Sequence, residues 1–123
     1  MNLEVKYAYL NKKVRNDNRL NLSLVEIVKN KKGDKSYINY GITLWDDDAD
    51  KYEKKLVVGD KTKQTKSSCV FFKGYVTSVN TYIPEDNAKI YNTFYVNLDK
   101  AKGSFGLVGE EVETEKEEDL FGE

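Results

Sequence analysis

Residues 36–45 read SYINYGITLW, and the alternation of side chains along this stretch decides the fold. Successive side chains of a β-strand point to opposite faces of the sheet. One face of this strand is mostly aliphatic and holds Ile38, Tyr40, Ile42 and Leu44. The opposite face holds Tyr37, Asn39, Gly41, Thr43 and Trp45. The pattern predicts a strand that buries its aliphatic face in a core and presents aromatic rings on the other.

Two later segments, joined by a long hairpin loop at 83–87, repeat this division into two faces. They are CVFFKGYVTSV at 69–79 and KIYNTFYVNL at 89–98. The aliphatic faces hold Val70, Phe72, Gly74 and Val76 in the first segment and Ile90, Phe94, Val96 and Leu98 in the second. The opposite faces hold Phe71, Lys73, Tyr75 and Thr77, and then Tyr91, Thr93, Tyr95 and Asn97. We expect all three strands to bury the aliphatic face.

The first thirty residues predict two further strands. Residues 3–10 alternate, and residues 11–19 form a polar break. One side of the first strand is expected to hold Leu3, Val5, Tyr7 and Tyr9. Residues 20–28 alternate until the phase slips near Val25, where we expect a bulge. A turn at 30–34 then joins this strand to the next as a hairpin.

A short helix and a basic loop follow the strand at 36–45. The segment DDDADKYEK at 46–54 predicts the helix, with one of the aspartates at 46–48 as its N-cap. We expect a small strand at 56–58 and a flexible loop, GDKTKQTKSS, at 59–68. Five evenly spaced strands with at most one short helix predict an all-β fold, a small closed five-stranded barrel.

The net charge of the chain divides near residue 109. Residues 110–123 hold eight acidic residues and one lysine, a net charge of −7. The preceding residues hold nineteen Lys and Arg against thirteen Asp and Glu, a net charge of +6. We therefore predict a folded domain at 1–108 and an acidic tail at 109–123, with disorder from about Gly109. A basic body suits a polyanion, and the tail could mimic that polyanion and bind a second partner.

Composition argues against an enzyme and against a bound cofactor or metal. The chain has no histidine, which is the commonest general base and metal ligand, and no phosphate-binding loop or dinucleotide fingerprint. The acidic cluster at 46–50 lacks the spacing of a calcium loop and is better explained as the start of a helix. Cys69 is the single cysteine, so we expect no internal disulfide, a buried thiol and a reducing compartment.

The sequence predicts neither a membrane segment nor a secretory signal. No apolar run approaches the ~20 residues that span a bilayer, and the first residues lack the order of a signal peptide. We therefore expect a soluble cytoplasmic protein. Residues 1–10 could pair within the barrel or between subunits, so the sequence leaves open whether the chain forms a homo-oligomer.

The chain has more aromatic residues than a core of this size needs, with nine Tyr, five Phe and one Trp. Exposed rings suit stacking on unpaired bases, and such stacking is sequence-independent because every base has a π-face. The stacking candidates are Tyr37, Trp45, Phe71, Tyr75, Tyr91 and Tyr95. The candidate phosphate contacts are Lys29, Lys31, Lys32 and Lys35 at the hairpin tip, Lys61, Lys63 and Lys66 in the basic loop, and Lys73. Packing of these rings under another part of the protein, and solubility for the lysines, stay open as alternatives.

The segment from Trp45 to Leu98 resembles the bacterial and phage single-stranded DNA-binding proteins. Their common pattern is a strand ending in an aromatic, a short helix, a Lys/Gly loop, a strand with a central glycine, a long hairpin and an aromatic-rich strand. Here these are ITLW, DDDADKYEKK, VVGDKTKQTKSS, VFFKGYV, NTYIPEDNAK and IYNTFYVNL. The acidic tail is similar to that family's C-terminus, and its short connection to the body resembles compact phage members.

The resemblance implies an OB-fold that binds single-stranded DNA without sequence preference during replication and recombination. It implies that Trp45, Phe71, Tyr75 and Tyr82 lie at or near base-stacking positions. It also implies that Asp119, Leu120 and Phe121 recruit replication and recombination proteins. A phage origin would place the protein in the host cytoplasm.

A second class of function stays open on the same residues. The barrel could bind RNA or a protein, for example as a phage-encoded inhibitor of a host protein. Salt and competition separate these cases. Single-strand binding weakens steeply with salt, and poly(dT) competes with it far better than duplex DNA, whereas a protein inhibitor would show neither behaviour.

Overall fold

The structure, a computed structural model, describes residues 1–85 and 90–109 of the chain. Six strands and one helix form in this described part. They are β1 (Asn2–Asn16), β2 (Arg19–Lys29), β3 (Lys35–Trp45), α1 (Asp46–Lys55), β4 (Cys69–Tyr82), β5 (Tyr91–Leu98) and β6 (Phe105–Leu107). Residues 86–89, which include the end of the expected loop at 83–87 and the start of the segment expected at 89–98, and the expected acidic tail from 110 onward lie outside the described residues.

The first five strands close into a barrel in the order β1-β2-β3-β5-β4, and β4 pairs back onto β1. The β3–β5 contact is parallel, and the other contacts around the ring are antiparallel. This order, with a helix between β3 and β4, is that of an OB-fold, so the predicted five-stranded barrel is confirmed. The short β6, which the sequence did not predict, pairs with Val70–Phe72 near the start of β4, ahead of the residues that pair with β5.

The barrel core consists of the inward-facing side chains of the strands and two residues at or just after α1. Its buried members are Val5, Ala8, Leu10, Leu20, Leu22, Leu24, Tyr40, Ile42, Leu44, Ala49, Leu56, Val70, Phe72 and Val96. The aliphatic faces predicted for the three later strands thus point inward. The exception is Ile90, which is 63% exposed because it precedes the first residue of β5.

A glycine allows the barrel to close where β4 lies between two neighbours. Gly74 pairs with Leu3 of β1 on one side and with Leu98 of β5 on the other. A Cβ at this position would collide with the backbone carbonyl of Asn97. The central glycine of this strand is therefore required by the close approach of β5.

β1 is longer and more irregular than the sequence predicts. It continues through the expected polar break to Asn16, because its second half pairs with β2. Its pairing with β4 shifts register between Val5 and Ala8. This irregularity turns Ala8 inward and leaves Tyr7 and Tyr9 exposed, so the expectation that both tyrosines share the face of Val5 was wrong.

The bulge expected in β2 lies instead on its neighbour. β2 pairs with β3 in unbroken register from Arg19 to Lys29. The irregularity falls on β1, where the pairing with β2 shifts between Leu10 and Lys12. Glu26 of β2 accepts a 2.8 Å hydrogen bond from the hydroxyl of the buried Tyr40.

The helix begins directly after β3, and its first turn differs from the prediction. Trp45 is the N-cap residue, and no side-chain hydrogen bond caps the helix. The aspartates at 46–48 lie within the first turn, where their charge favours the helix N-terminus. The strand expected at 56–58 does not form, because Leu56 turns into the core and Val57 bonds to Ser68 instead. Within the described residues, no helix is long and apolar enough to cross a membrane.

Candidate nucleic-acid interface

The outer face of β3, β5 and adjoining β4 presents exposed aromatic side chains. We call this surface the stacking face. Its members are Tyr37, Trp45, Tyr75, Tyr82, Tyr91 and Tyr95, whose exposed fractions range from 42% to 63%. Five of these six were predicted from strand alternation, and the sixth, Tyr82, from the family resemblance. The structure places all six on one side of the barrel wall.

Three tyrosines form a row across the barrel at the start of β3 and β5. Tyr82 of β4 pairs with Tyr91 of β5, and their ring centroids are 6.2 Å apart with an interplanar angle of 32°. Asn39 of β3 pairs with Thr93 of β5 in the parallel ladder. Tyr37 and Tyr91 each come two residues before this pair, so they lie side by side. This tyrosine row offers three ring surfaces on three neighbouring strands.

A bulge in β4 places Tyr82 in this row. The pairing with β5 shifts register between Val76 and Ser78, and the unpaired Thr77 donates a 3.2 Å hydrogen bond to the carbonyl of Tyr95. Strict alternation from Tyr75 would point Tyr82 inward. The bulge reverses the phase and brings Tyr82 to the outer face.

Tyr95 lies over the backbone of the neighbouring strand. A Cβ built on Gly41 of β3 would stand 2.7 Å from both Cδ1 and Cε1 of the Tyr95 ring. The ring therefore occupies the space that any larger residue at position 41 would need, and it is still 42% exposed. Gly41 thus fixes the position of one stacking candidate midway along β3.

Two polar contacts hold the rings at the far end of the face. The Asn97 amide donates a 2.8 Å hydrogen bond to the Tyr75 hydroxyl, which links β5 to β4 on the outer surface. Trp45 ends β3, and the guanidinium carbon of Arg19 lies 5.8 Å from the centroid of its ring. The indole is 52% exposed, so the arginine covers it only in part.

The lysines at the tip of the β2–β3 hairpin lie close to the tyrosine row. Tyr37 pairs with Ile27, and two residue pairs further on, Lys29 pairs with Lys35. The side-chain oxygen of Asn30 accepts hydrogen bonds from the backbone amides of Lys32 and Asp34, both 2.9 Å long. Gly33 has a φ of +86° that this turn requires. Lys31 and Lys32 are exposed in this turn, just beyond the Lys29–Lys35 pair.

The basic loop at 59–68 lies elsewhere on the molecule. The amide of Leu10 donates a 2.9 Å hydrogen bond to Ser68, and Tyr9 pairs with Cys69, so the loop ends on β1. The loop leads into Cys69, the first residue of β4, whereas Tyr75 and Tyr82 lie six and thirteen residues further along that strand. None of the described hydrogen bonds joins Lys61, Lys63 or Lys66 to the stacking face.

A turn within this loop is stabilised by Asp60. Its carboxylate accepts hydrogen bonds from the backbone amide and the hydroxyl of Thr62, and these bonds lower the pKa of Asp60. The described hydrogen bonds of the loop are therefore made within the loop and at its ends, and not with the stacking face.

Phe71 and Lys73 continue the outer row of β4 away from β5. Phe71 pairs with Gly106 of β6 and is half-buried, which leaves less ring surface than the other candidates have. Lys73 is exposed and pairs with Glu4 of β1. Both side chains thus lie at the margin of the stacking face, near β1 and β6.

Sequence reasoning missed a second aromatic groove, between β1 and β2. Its volume is about 660 Å³, and it is lined by Glu4, Lys6, Tyr7, Tyr9, Glu26, Ile27, Lys29 and Lys35. Tyr7 and Tyr9 meet edge to face with centroids 5.3 Å apart. Hydrogen bonding with Cys69, and then with Tyr9, raises the pKa of Tyr7 to about 12. Cys69 is half-buried and not fully buried as expected, and this partial burial raises the pKa of its thiol.

The comparisons with known proteins add no family. No protein-family model matches the chain, and a search of curated proteins found no significant match. Within residues 1–85 and 90–109, no group of three or more His, Cys, Asp or Glu side chains is placed to hold a metal ion. The predicted partner-binding residues Asp119, Leu120 and Phe121 lie outside the described residues.

Proposed function

We propose that this chain is a sequence-nonspecific single-stranded DNA-binding protein that protects DNA during replication and recombination. The observation that carries the proposal is the tyrosine row of Tyr37, Tyr82 and Tyr91, with exposed rings beside the lysines of the β2–β3 tip. Aromatic rings on a solvated outer face are unfavourable because they expose apolar surface to water, and stacking on bases covers that surface. The OB-fold is a frequent scaffold for this activity, which supports the proposal by analogy alone.

In the proposed mechanism the aromatic rings bind bases and the lysines bind phosphates. Bases stack on the tyrosine row, on Tyr95 and on Trp45, each contact contributing about 1–3 kcal/mol. Lys31 and Lys32 bind phosphates and release counterions, which makes the affinity depend steeply on salt. Duplex DNA keeps its bases stacked inside the helix, so it cannot use the rings. Selection for single strands therefore follows from the exposed aromatics.

We assign residues 110–123 two roles on the basis of their net charge of −7. The tail competes with DNA for the basic body by electrostatic mimicry. When DNA displaces it, Asp119, Leu120 and Phe121 become free to bind replication and recombination proteins. The resemblance to phage and bacterial single-stranded DNA-binding proteins supports this second role.

A titration with matched tyrosine variants tests the proposal. Labelled oligo(dT) of about 16 nucleotides would be titrated with wild type and with Tyr37→Ala and Tyr91→Ala, and followed by anisotropy. Each substitution should weaken binding by about 5- to 150-fold, the equivalent of one lost stacking contact. Tyr7→Ala is the control, because Tyr7 is 49% exposed, close to the 46% of Tyr91, and lies off the stacking face. The control should bind like wild type.

Competition in the same assay separates the alternatives. Unlabelled oligo(dT) should displace the probe far better than duplex of the same length. Equal competition by duplex, or equal losses in the Tyr7 and Tyr91 variants, would refute stacking on this face. Stronger competition by oligo(U) than by oligo(dT) would favour the RNA-binding alternative, and no nucleic-acid binding at all would favour a protein partner.

A further inference from the structure

A polar groove opens where β3 and β5 both end. One wall is α1, with Asp48, Lys51 and Tyr52, and the other is the chain from the end of β5 to the start of β6, residues 97–105. Thr43 and Trp45 lie between the two walls. The groove has a volume of about 700 Å³. We call it the α1 groove.

Three lysines that the sequence analysis did not single out line this groove. They are Lys51 on α1 and Lys100 and Lys102 in the segment after β5, against two carboxylates, Asp48 and Asp99. The ammonium of Lys51 lies 5.2 Å from the centroid of the Tyr52 ring. All three lysine side chains are exposed. The lining therefore has an excess of positive charge next to an exposed indole.

The backbone that carries Lys100 and Lys102 is anchored at both ends. Lys73 of β4 donates its amide to Ser104 at 2.7 Å and accepts the amide of Asp99 at 3.0 Å. Ser104 is buried, and its hydroxyl donates a 2.8 Å hydrogen bond to the carbonyl of Ala101. The two lysines thus project from a turn whose position is already fixed, which lowers the entropy cost of ligand binding.

The α1 groove is continuous with the stacking face. Trp45 belongs to both, and Asn97, which holds Tyr75 on the stacking face, also lines the groove. β3 and β5 run parallel, so both lead from the tyrosine row to this end of the barrel. The nine residues from Tyr37 to Trp45 make eight steps along β3 and span about 26 Å. A strand of nucleic acid laid along β3 would therefore reach the mouth of the groove at Trp45.

We propose that the α1 groove continues the path of single-stranded DNA beyond Trp45, with Lys51, Lys100 and Lys102 as its phosphate contacts. This inference rests on the proposed function. It adds a second segment to the binding site, at the end of β3 opposite the lysines of the β2–β3 tip. The path then has lysines at both ends and rings between them. Oligonucleotides too short to pass Trp45 would not use the groove lysines.

The test compares two triple variants with the same change in charge. The groove variant is Lys51→Gln, Lys100→Gln and Lys102→Gln. The matched control is Lys6→Gln, Lys12→Gln and Lys54→Gln, which removes three exposed lysines that do not line the α1 groove. Full-length proteins would be titrated with oligo(dT) of about 16 and about 5 nucleotides at several salt concentrations.

On the longer oligonucleotide, the groove variant should reduce the slope of log K against log salt by about 2, the value for three lost single-strand phosphate contacts. The control should change this slope by less than about 0.5. On the short oligonucleotide, both variants should match wild type. As an independent readout, bound long oligo(dT) should protect Lys100 and Lys102 of wild type from acetylation and leave Lys12 reactive.

The possible failures are distinguishable. Equal slopes for the two triple variants, or no protection of Lys100 and Lys102, would overturn the groove path while the proposed function stands. Absence of oligo(dT) binding by wild type would overturn the proposed function and the groove path together. Equal melting temperatures of the three proteins would show that the substitutions leave the fold intact.

Discussion

At the residue scale, the contact between Gly41 and Tyr95 is the most specific feature of the stacking face. A glycine inside a β-strand weakens the strand, because it loses more conformational entropy on folding than other residues do and has no side chain to pack. Here the missing side chain makes room for a ring from the neighbouring strand, 2.7 Å from where a Cβ would stand. The two residues should therefore behave as one unit in binding.

We predict that Gly41→Ala weakens oligo(dT) binding nearly as much as Tyr95→Ala does. The added methyl group would push the ring off β3, so each change would remove the same stacking surface, worth about 1–3 kcal/mol. In the double variant the two effects should not add. Anisotropy titrations of the three variants would measure this coupling.

Tyr95→Phe is the control for that cycle, because it keeps the ring and loses only the hydroxyl. It should bind like wild type. Additive losses in the double variant would show that Gly41 acts on binding by another route. A large fall in melting temperature for Gly41→Ala alone would assign its effect to the fold and not to the ring.

At the element scale, two basic residues of β1 bind α1 through its carboxylates and its last carbonyls. The Lys13 ammonium donates to the carbonyls of Glu53 and Leu56, both at 2.7 Å. Arg15 pairs with Asp50 at 2.7 Å and with Glu53 at 3.2 Å, and the hydrogen bond that it donates to Asp50 raises the pKa of Arg15. A cation at a helix C-terminus satisfies carbonyls that have no intrahelical partner.

We predict that Lys13→Met lowers the free energy of unfolding by about 1 kcal/mol, because the two carbonyls lose a charged donor while the apolar stem is kept. Urea unfolding followed by Trp45 fluorescence would measure the change. Lys12→Met is the matched control, since the neighbouring side chain is exposed and makes neither contact. Equal midpoints for the two variants would contradict the role of Lys13 at the helix end.

The strands that alternate strictly could be predicted from the sequence, and the irregular ones could not. β3 and the first half of β4 bury the expected faces because period-two patterning decides which side packs the core. The predicted inward face of β1 was wrong because two register shifts change which side chains point inward. Nothing local in Asn2–Asn16 marks where these shifts fall. β6 has three residues and depends on the edge of β4, so it has no local signal.

The candidate site shows the same division between local and long-range information. Alternation identified Tyr37, Tyr91 and Tyr95 as outward-facing, since each faces out of a regular strand. The position of the basic loop at 59–68 relative to that face depends on which strands pair around the ring. The α1 groove also depends on this pairing, because it joins a helix to a segment almost fifty residues further along the chain.

At the scale of the whole molecule, the net charge has opposite signs in the body of the chain and in its last fourteen residues. The body through residue 109 carries a net charge of +6, and residues 110–123 carry −7. The last described residues lie beside β4, where the amide of Val108 donates to Cys69 at 2.9 Å. Fourteen residues can extend up to about 46 Å, enough to reach any face of a barrel of this size. Competition between this segment and DNA is therefore sterically allowed.

We predict that deletion of residues 110–123 tightens oligo(dT) binding several-fold at ~50 mM salt, and much less at ~500 mM, where charges are screened beyond about 4 Å. A full-length variant with its tail Glu and Asp changed to Gln and Asn should reproduce the deletion, which would assign the effect to charge and not to bulk. Leu120→Ala with Phe121→Ala should leave DNA affinity unchanged, because these side chains are proposed to bind proteins. Unchanged or weaker binding by the truncated protein at low salt would exclude competition and leave the tail only its proposed role in partner binding.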